Sequence, residues 1–135
     1  MSPREALVTE TREWLERAQA DLDACVVLIS AGLAPEALFH AQQCAEKSMK
    51  AILTWHQASF RKTHDLDELK HACLPLAGGI ATELAGIERL SQYAWRFRYP
   101  GAPYSPERTE AEEARHAAGQ LFNTVAAWLR SQFGE

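Results

Sequence analysis

The sequence is poor in cysteine and carries no excess of positive charge. Its three cysteines, Cys25, Cys44 and Cys73, form neither a CxxC pair nor an even-numbered framework, so we predict reduced thiols that pack as small apolar residues. The formal net charge is -4 with a pI near 5.7, whereas domains that grip nucleic-acid backbone usually carry a basic surface. Any contact with an anionic ligand is therefore expected to be local.

Long apolar runs are also missing. No stretch approaches the roughly 18 apolar residues that a membrane span needs, and the N-terminal sequence MSPREALVTE is charged where a signal peptide would be apolar. Together with reduced thiols, this predicts a cytoplasmic protein without a membrane segment. A composition of 47% apolar and 24% charged residues fits one soluble domain over residues 1–135.

Motifs for covalent or phosphate chemistry are absent as well. There is no G-x-S-x-G nucleophile turn, and none of the cysteines comes with a neighbouring histidine and an orienting acid at a recognisable spacing. Gly78 and Gly79 lack the Lys-Ser/Thr pair and the preceding strand of a phosphate-binding loop. We therefore predict no catalytic residue and no cofactor, and the sequence does not indicate a self-sufficient enzyme.

One stretch has the spacing of a metal site. In HDLDELKH, His64, Glu68 and His71 stand at i, i+4 and i+7, positions that share one face of a helix. His64, however, precedes the predicted helix cap Asp65, and such residues on a surface helix are mostly solvated. The histidine and cysteine of FHAQQC lie one turn apart beside an apolar stripe, where packing is the simpler interpretation. We predict no metal site.

Apolar residues at helical spacing predict two long helices in the first half of the chain. The first ends near Gly32, because glycine tolerates the positive φ that often follows a helix, and its apolar positions are Trp14, Ala18, Leu22, Cys25, Val26 and Ile29. Pro35 can open the second helix, which we predict to run to about Ala58. Its apolar stripe comprises Leu38, Ala41, Ala45, Met49 and Ile52.

The second half of the chain predicts one short helix and two long ones. Asp65 and Glu68 have the spacing of a capping box at the start of the short helix. A third long helix is predicted from a repeat of three to four residues that ends before Pro100: Leu84, Ile87, Leu90, Ala94 and Phe97. Thr109 and Glu112 predict a capping box for a fourth, whose apolar positions are Ala114, Ala118, Leu121, Phe122, Val125 and Leu129.

No segment alternates like a β-strand, so the sequence predicts an all-α fold. We expect an up-and-down four-helix bundle with an additional short helix between the second and third long helices. Trp55, Trp95 and Trp128 are expected to fall outside the main stripes, and exposing them would cost about 25 cal/mol per Å². This favours a homodimer that buries them; the alternative is that each tryptophan sits at the edge of its own core.

The stretch RFRYPGAPY at residues 96–104 has the composition of a nucleotide contact. The guanidinium groups of Arg96 and Arg98 match phosphate oxygens, and the ring of Tyr99 offers a face for a base. The alternative is structural: Phe97 closes the core, Tyr99-Pro100 stops the helix, and the arginines pair with glutamates or with the last carbonyls of the helix. The residues alone leave both interpretations open.

Four segments, taken in order, resemble the HEPN domain, the higher eukaryote and prokaryote nucleotide-binding domain. They are FHAQQCAEKSMKAIL at 39–53, THDL at 63–66, LSQYAWRFRYP at 90–100 and an alanine- and glutamate-rich last helix. The resemblance covers roughly residues 12–132. It implies a bundle of four to five helices, usually a homodimer, that pairs with a minimal nucleotidyltransferase in a toxin–antitoxin-like two-component system.

In such pairs the transferase supplies the metal and the catalytic carboxylates. The resemblance implies that this chain is a non-catalytic module that binds a nucleotide such as ATP or a nucleotide-bearing substrate. Carried over by position, the family's binding residues fall on Arg96, Arg98 and Tyr99 and, on the polar face of the second helix, on Gln43, Lys47 and Lys50. The two lysines stand one turn apart and could offer charge to a phosphate; otherwise this face is simply solvated.

A different branch of HEPN proteins is similar to metal-independent ribonucleases, with an arginine, four to six residues and then a histidine. Here neither Arg96 nor Arg98 has a histidine at that distance, and seven residues separate Arg108 from His116. RNA cleavage is therefore the alternative function, and it would need a histidine from elsewhere, such as His64, to meet the arginines in three dimensions. A scaffold that binds no small ligand is the third hypothesis.

Overall fold

The computed structural model describes residues 1–90, 100 and 105–135, and every regular element in these ranges is helical. Five α-helices follow along the chain: α1 (Pro3–Ser30), α2 (Ala34–Trp55), α3 (Leu66–Cys73), α4 (Ala81–Ala85) and α5 (Arg108–Phe133). A short 3₁₀ helix, Gly78–Ile80, leads into α4. The predicted all-α fold class is confirmed. Within the described ranges, no helix has the length and apolar character needed to cross a membrane.

Helix α2 is the centre of the fold. It packs against α1, α3 and α5, and 15 of its 22 residues are buried. The apolar stripe predicted for it is confirmed, because its five members are fully buried: Leu38, Ala41, Ala45, Met49 and Ile52. Since neighbouring helices also cover other faces of α2, its polar residues have to find partners inside the protein.

Helix α1 begins earlier than the apolar pattern suggests. Ser2 caps it and forms a capping box with Glu5, two turns or more before the apolar pattern begins at Trp14. The helix ends before Gly32, which has the positive φ of 77° predicted for this position. Val26, expected on the apolar stripe, is instead 43% exposed, because the buried stripe of α1 lies one position away from it.

The predicted third long helix is not continuous in the described residues. Helix α4 ends at Ala85, a turn follows at Gly86, and residues 88–90 form a 3₁₀ helix. Three members of the predicted stripe are nevertheless buried: Leu84, Ile87 and Leu90. Their spacing of three residues fits a 3₁₀ helix as well as an α-helix, and Gly86 lowers helix propensity at the break. Ala94 and Phe97 lie outside the described residues.

Helix α3 begins at the predicted cap. The Asp65 carboxylate accepts a hydrogen bond from the backbone N–H of Asp67, but Glu68 does not complete a capping box. Glu68 accepts two hydrogen bonds from Arg61, at 2.6 and 2.9 Å, and they hold the pKa of its carboxyl group below the ordinary value. The prediction of Asp65 as N-cap is confirmed. The prediction that Glu68 completes the capping box is wrong, because a guanidinium binds a carboxylate more strongly than a backbone N–H does.

Helix α5 begins at Arg108, one residue before the predicted cap Thr109. Its N-cap residue is Glu107, and within the described residues the Glu107 side chain accepts no capping hydrogen bond from the first turn. The predicted capping box is wrong, since Glu112 accepts a hydrogen bond from Arg108 Nε at 2.9 Å, one turn earlier on the helix surface. The apolar face is confirmed by six buried residues: Ala114, Ala118, Leu121, Phe122, Val125 and Leu129.

Trp55 and Trp128 do not form the exposed apolar surface expected from the sequence. Both are partly buried against the core. Trp55 meets the ring of Phe133 edge-on, with 5.2 Å between ring centroids, and His56 stacks on Trp128. For these two residues the alternative, a place at the edge of the core, is the one the structure shows; Trp95 lies outside the described residues. The homodimer stays a prediction.

Candidate functional site

Two buried carboxylates organise the polar side chains inside the protein. Glu46 on α2 is 2% exposed and Asp21 on α1 is 7% exposed. Each carboxylate contacts one lysine and one histidine. Burying a carboxylate is costly unless charged partners and hydrogen bonds compensate it. In both clusters a buried carboxylate is therefore compensated by a lysine and a histidine.

The Glu46 cluster consists of Glu46, Gln42, Lys50 and His64. Lys50 Nζ donates to Glu46 Oε2 at 3.2 Å from the next turn of α2. His64 Nδ1 lies 2.7 Å from Glu46 Oε1, and Gln42 Nε2 lies 3.4 Å from the same oxygen. Gln42 Nε2 also donates to the backbone carbonyl of His64 at 3.2 Å. Both carboxylate oxygens are thus occupied, and the segment before α3 is attached to α2.

The imidazole of His64 faces solvent although its partner is buried. The side chain of His64 is 70% exposed, whereas that of Glu46 is 3% exposed. Because Nδ1 is engaged by the carboxylate, Nε2 lies on the opposite side of the ring. A carboxylate that accepts the Nδ1 proton favours the tautomer in which Nε2 carries the lone pair, as in the His–Asp pairs of hydrolases. This arrangement leaves Nε2 unengaged by the carboxylate on a side chain that is mostly exposed.

The Asp21 cluster joins α1 to α2. His40 Nδ1 lies 2.8 Å from Asp21 Oδ1, and Lys47 Nζ lies 2.5 Å from Asp21 Oδ2. The side chain of His40 is 32% exposed, less than half the exposure of the histidine in the other cluster. The Asp21 cluster therefore resembles the Glu46 cluster in composition but offers less imidazole surface to a ligand.

Lys47 and Lys50, two residues predicted to contact a nucleotide, are each held by a buried carboxylate. Lys50 is only 7% exposed, and its Nζ lies 5.6 Å from the centroid of the Trp14 ring. Gln43 donates to Gln42 Oε1 at 2.7 Å. The expectation of a solvated polar face is wrong for Lys50, because α2 is covered on this side by α1 and by the segment that precedes α3.

The other three predicted nucleotide contacts, Arg96, Arg98 and Tyr99, lie outside the described residues. The alternative interpretation of the two arginines, in which they pair with glutamates or with helix carbonyls, concerns the same segment and also stays a prediction. The nucleotide site at RFRYPGAPY therefore stays a prediction.

The histidines and glutamate at metal-ligand spacing have separate partners. His64 contacts Glu46, Glu68 binds an arginine, and His71 Nδ1 lies 2.8 Å from the backbone oxygen of Asp67. The part of the chain that the structure describes contains no group of three His, Cys, Asp or Glu side chains placed to hold a metal ion. The spacing fails because His64 precedes the α3 cap and so does not share the helical face.

The three cysteines are buried free thiols, as predicted. Burial raises the pKa of Cys25 to about 11 and the pKa values of Cys44 and Cys73 to about 12. The thiolate is the reactive form of cysteine, and these groups stay protonated at neutral pH. The cysteines therefore pack the core and supply no nucleophile.

An aromatic groove of about 720 Å³ lies where the start of α1 meets the end of α2, and Trp14, Trp55, Phe60 and Arg4 contribute to its walls. Trp14 meets Phe60 edge-on with 6.5 Å between ring centroids, and the Arg4 guanidinium carbon lies 5.7 Å from the centroid of a Trp55 ring. Trp14 also packs against Lys50 of the Glu46 cluster. The groove and the cluster are thus in contact through Trp14 and Lys50.

Sequence reasoning did not identify Glu46, Gln42 or Asp21 as site residues. A signal for the first two was present, because Gln42, Glu46, Met49 and Leu53 repeat at i, i+4, i+7 and i+11, so two polar residues occupy apolar positions of α2. A charged residue on such a face has to be paired. Its partner His64 is 18 residues away, and no spacing rule connects the two.

Most of the chain is similar to known proteins. A family model described as HEPN domain matches residues 11–128. A Methanocaldococcus jannaschii protein named "Putative toxin MJ1304" is 26% identical in an alignment that covers 90% of this chain and 89% of that protein. The crystal structure of TT1696 from Thermus thermophilus matches with a TM-score of 0.69 and 28% identity. ST0689, described as an archaeal HEPN homologue, matches with a TM-score of 0.66 and 25% identity; each structural match covers 87% of this chain and 96% of the other.

Proposed function

The chain belongs to the HEPN domain family, and on that premise we propose that it is the HEPN component of a toxin–antitoxin pair whose other member is a minimal nucleotidyltransferase. The observation that supports this most directly is the similarity, over 90% of this chain, to the protein named "Putative toxin MJ1304". In this proposal the chain is the toxin-type member, acts as a homodimer, and binds a nucleotide such as ATP or the nucleotides of an RNA.

The ion pairs of α2 bear on which residues would bind the nucleotide. Lys47 and Lys50 are each held by a buried carboxylate, so neither ammonium can move to a phosphate without depriving a buried carboxylate of its lysine partner. We therefore assign the phosphate contacts to Arg96 and Arg98, with Tyr99 against the base. Two copies of the chain would bring these groups together in one cleft.

Calorimetric titration with ATP tests this site. We expect the wild-type protein to bind ATP and the Arg96→Ala/Arg98→Ala double variant to bind at least about tenfold more weakly, because two charge-assisted hydrogen bonds are lost. Arg108→Ala is the matched control, since Arg108 is an exposed arginine paired with Glu112. Unchanged binding by the double variant would reject the site.

The pairing is tested separately, in cells and by co-purification. Expression of the chain alone is expected to arrest growth, and co-expression of a nucleotidyltransferase from a neighbouring reading frame is expected to restore it. The two proteins should then purify together. Normal growth without the transferase, together with no co-purification, would count against the pair.

Metal-independent cleavage of RNA is the second candidate activity for the same protein. The chain lacks the arginine and histidine spacing of that branch of the family. The observation in favour is the exposed imidazole of His64 held by the buried carboxylate of Glu46. A catalytic histidine needs this kind of orientation and access.

A further inference from the structure

We infer that residues 57–64, the segment between α2 and α3, form a strap that opens and closes as one unit over the polar face of α2. The strap turns at Gln57 and is fastened at its other end to Gln42 and Glu46 of α2. This conformational device does not depend on the proposed function, because every contact that defines it lies within one copy of the chain.

The strap begins in a strained backbone conformation. Gln57 has a φ of 54° and is the one residue other than glycine with a positive φ in the described ranges. It directly follows the C-cap of α2, and its N–H donates to the Thr54 oxygen at 3.0 Å. The next N–H, that of Ala58, donates to the Leu53 oxygen at 2.9 Å. These two bonds form a Schellman motif, which usually has glycine where Gln57 stands. Since a side chain disfavours the left-handed conformation, other contacts have to hold the strap closed.

The opposite end of the strap is fastened at two points on α2. Gln42 Nε2 donates to the backbone oxygen of His64 at 3.2 Å, and His64 Nδ1 lies 2.7 Å from Glu46 Oε1. Gln42 is 0% exposed and Glu46 is 2% exposed. Because α2 is the packed centre of the fold, both residues give the strap a fixed attachment.

The two α2 residues keep other partners when the strap leaves. Lys50 Nζ lies 3.2 Å from Glu46 Oε2, and Gln43 Nε2 donates to Gln42 Oε1 at 2.7 Å. Both contacts lie within α2 and do not involve the strap. Opening therefore leaves Glu46 beside a cation and lets water replace the imidazole, so no buried charge is left unpaired.

Between its two ends the strap is attached by few contacts. Ala58 and Phe60 pack against the core, and the ring of Phe60 meets Trp14 edge-on. In the described part of the chain, no backbone–backbone hydrogen bond joins the strap beyond Ala58 to another segment. Arg61 binds Glu68 of α3, but its side chain is 74% exposed, and such surface pairs contribute little. Segments with few apolar contacts and few backbone hydrogen bonds open locally, without unfolding of the whole protein.

Opening of the strap changes two surfaces at once. Gln57, Ser59 and Phe60 contribute to the aromatic groove from the strap, whereas Trp14 contributes to it from α1. When the strap lifts, the groove loses these residues and the ring of Trp14 becomes more exposed. The polar face of α2 is uncovered in the same movement. The strap therefore controls whether the Glu46 cluster is covered or open to solvent.

Native-state proteolysis of the full-length protein measures the opening. Trypsin cleaves after Arg61 and Lys62, which lie in the strap, and the rate reports the population of the open form when reclosing is fast. We expect His64→Ala to be cleaved there about tenfold faster than the wild type, because its charge-assisted contact with Glu46 is lost. Gln57→Gly should be cleaved about fivefold more slowly, because glycine adopts the left-handed conformation without strain.

His71→Ala is the matched control for His64→Ala. The side chain of His71 is 69% exposed and lies on α3, outside the strap, so this variant should be cleaved at the wild-type rate. Mass spectrometry assigns the cleavage sites. Unfolded peptides of residues 55–70 with the same substitutions give the intrinsic cleavage rates, by which the rates of the folded proteins are divided.

A thiol placed under the strap tests what the opening uncovers. Gln42→Cys puts a cysteine on the covered face of α2, and its reaction with a disulfide reagent should be faster than that of the three native buried thiols. Adding His64→Ala to Gln42→Cys should raise this rate by about the same tenfold as the proteolysis. The loss of the Gln42 hydrogen bond is common to both proteins and does not affect their comparison.

Equal normalised cleavage rates in the wild type and His64→Ala would overturn the inference, because the contact with Glu46 would then not hold the strap closed. A Gln42→Cys thiol that reacts as slowly as the native cysteines, with or without His64→Ala, would also overturn it. The strap would then move without uncovering α2.

Discussion

The buried ion pair between Lys50 and Glu46 yields a prediction that separates a structural lysine from a ligand-binding one. Lys50→Met keeps the length and apolar stem of the side chain and removes the ammonium. Glu46, 2% exposed, would then retain only His64 and Gln42 as partners. A buried carboxylate that loses its cation is poorly compensated in the protein interior.

The size of the effect follows from the burial of both groups. Removing one partner of a buried ion pair typically costs about 3–5 kcal/mol. We expect the lower end of that range, about 3 kcal/mol, because two hydrogen-bonding partners of Glu46 remain. Adding Glu46→Gln to Lys50→Met removes the second charge as well. The double variant should therefore be more stable than Lys50→Met alone, although it contains one more substitution.

Urea unfolding followed by circular dichroism measures this effect. With a slope of about 2 kcal/mol per molar urea, Lys50→Met should lower the midpoint by about 1.5 M. Arg108→Met is the matched control, because Arg108 and Glu112 form an i, i+4 pair whose side chains are 67% and 48% exposed, and its loss should change stability by less than about 0.5 kcal/mol. A loss below about 1 kcal/mol for Lys50→Met would refute the reasoning. Lys50 would then be available to a phosphate.

Three further predictions concern the backbone, the thiols and acid stability. Gly119→Ala should stabilise α5 by about 0.5–1 kcal/mol, because the added Cβ meets Leu22 at ordinary contact distances of 3.8 and 3.9 Å. Gly32→Ala should destabilise the protein by about 1 kcal/mol, because alanine is unfavourable at the positive φ of Gly32 although no atom blocks the added Cβ. The thermal unfolding temperatures of the two variants should therefore shift in opposite directions. The three buried thiols should resist a disulfide reagent at pH 8 and react fully only in denaturant, and rapid reaction of the native protein would contradict their raised pKa values. Arg61 lowers the pKa of Glu68 in the folded protein. Their ion pair therefore stabilises the fold at pH values above the pKa of an unfolded glutamate, about 4.3, and this stabilisation is lost as the pH falls through the lower pKa of the folded state. In urea titrations Glu68→Gln should be less stable than the wild type at pH 6 but not at pH 2, and an equal loss at both pH values would argue against the pair.

The long helices were predictable because their signals are local. The apolar stripes of α2 and α5 repeat within one helix, and the structure buries every residue named for them. Gly32 marks the end of α1 through a backbone conformation that glycine favours. The prediction of a continuous α-helix failed at residues 84–90, where the local signal is ambiguous. The apolar residues there are spaced by three, which suits a 3₁₀ helix as well as an α-helix.

The helix starts show a second reason for failure. Thr109 and Glu112 have the residue types and the spacing of a capping box, yet Glu112 contacts Arg108 and the helix begins before Thr109. Side chains near a helix start have several possible partners, and a capping pattern does not say which partner prevails.

The sequence by itself determined the all-α fold class, the stripes that form the core and the inert character of the cysteines, because each depends on residues that are neighbours along one helix or on burial that periodicity reveals. Only the tertiary structure decided that Glu46 pairs with His64, 18 residues away, and that Asp21 binds Lys47, 26 residues away. These pairs depend on how α1 and the segment before α3 pack against α2. Packing brings together groups whose separation along the chain carries no spacing rule, and so the buried carboxylates acquire their partners only in the folded protein.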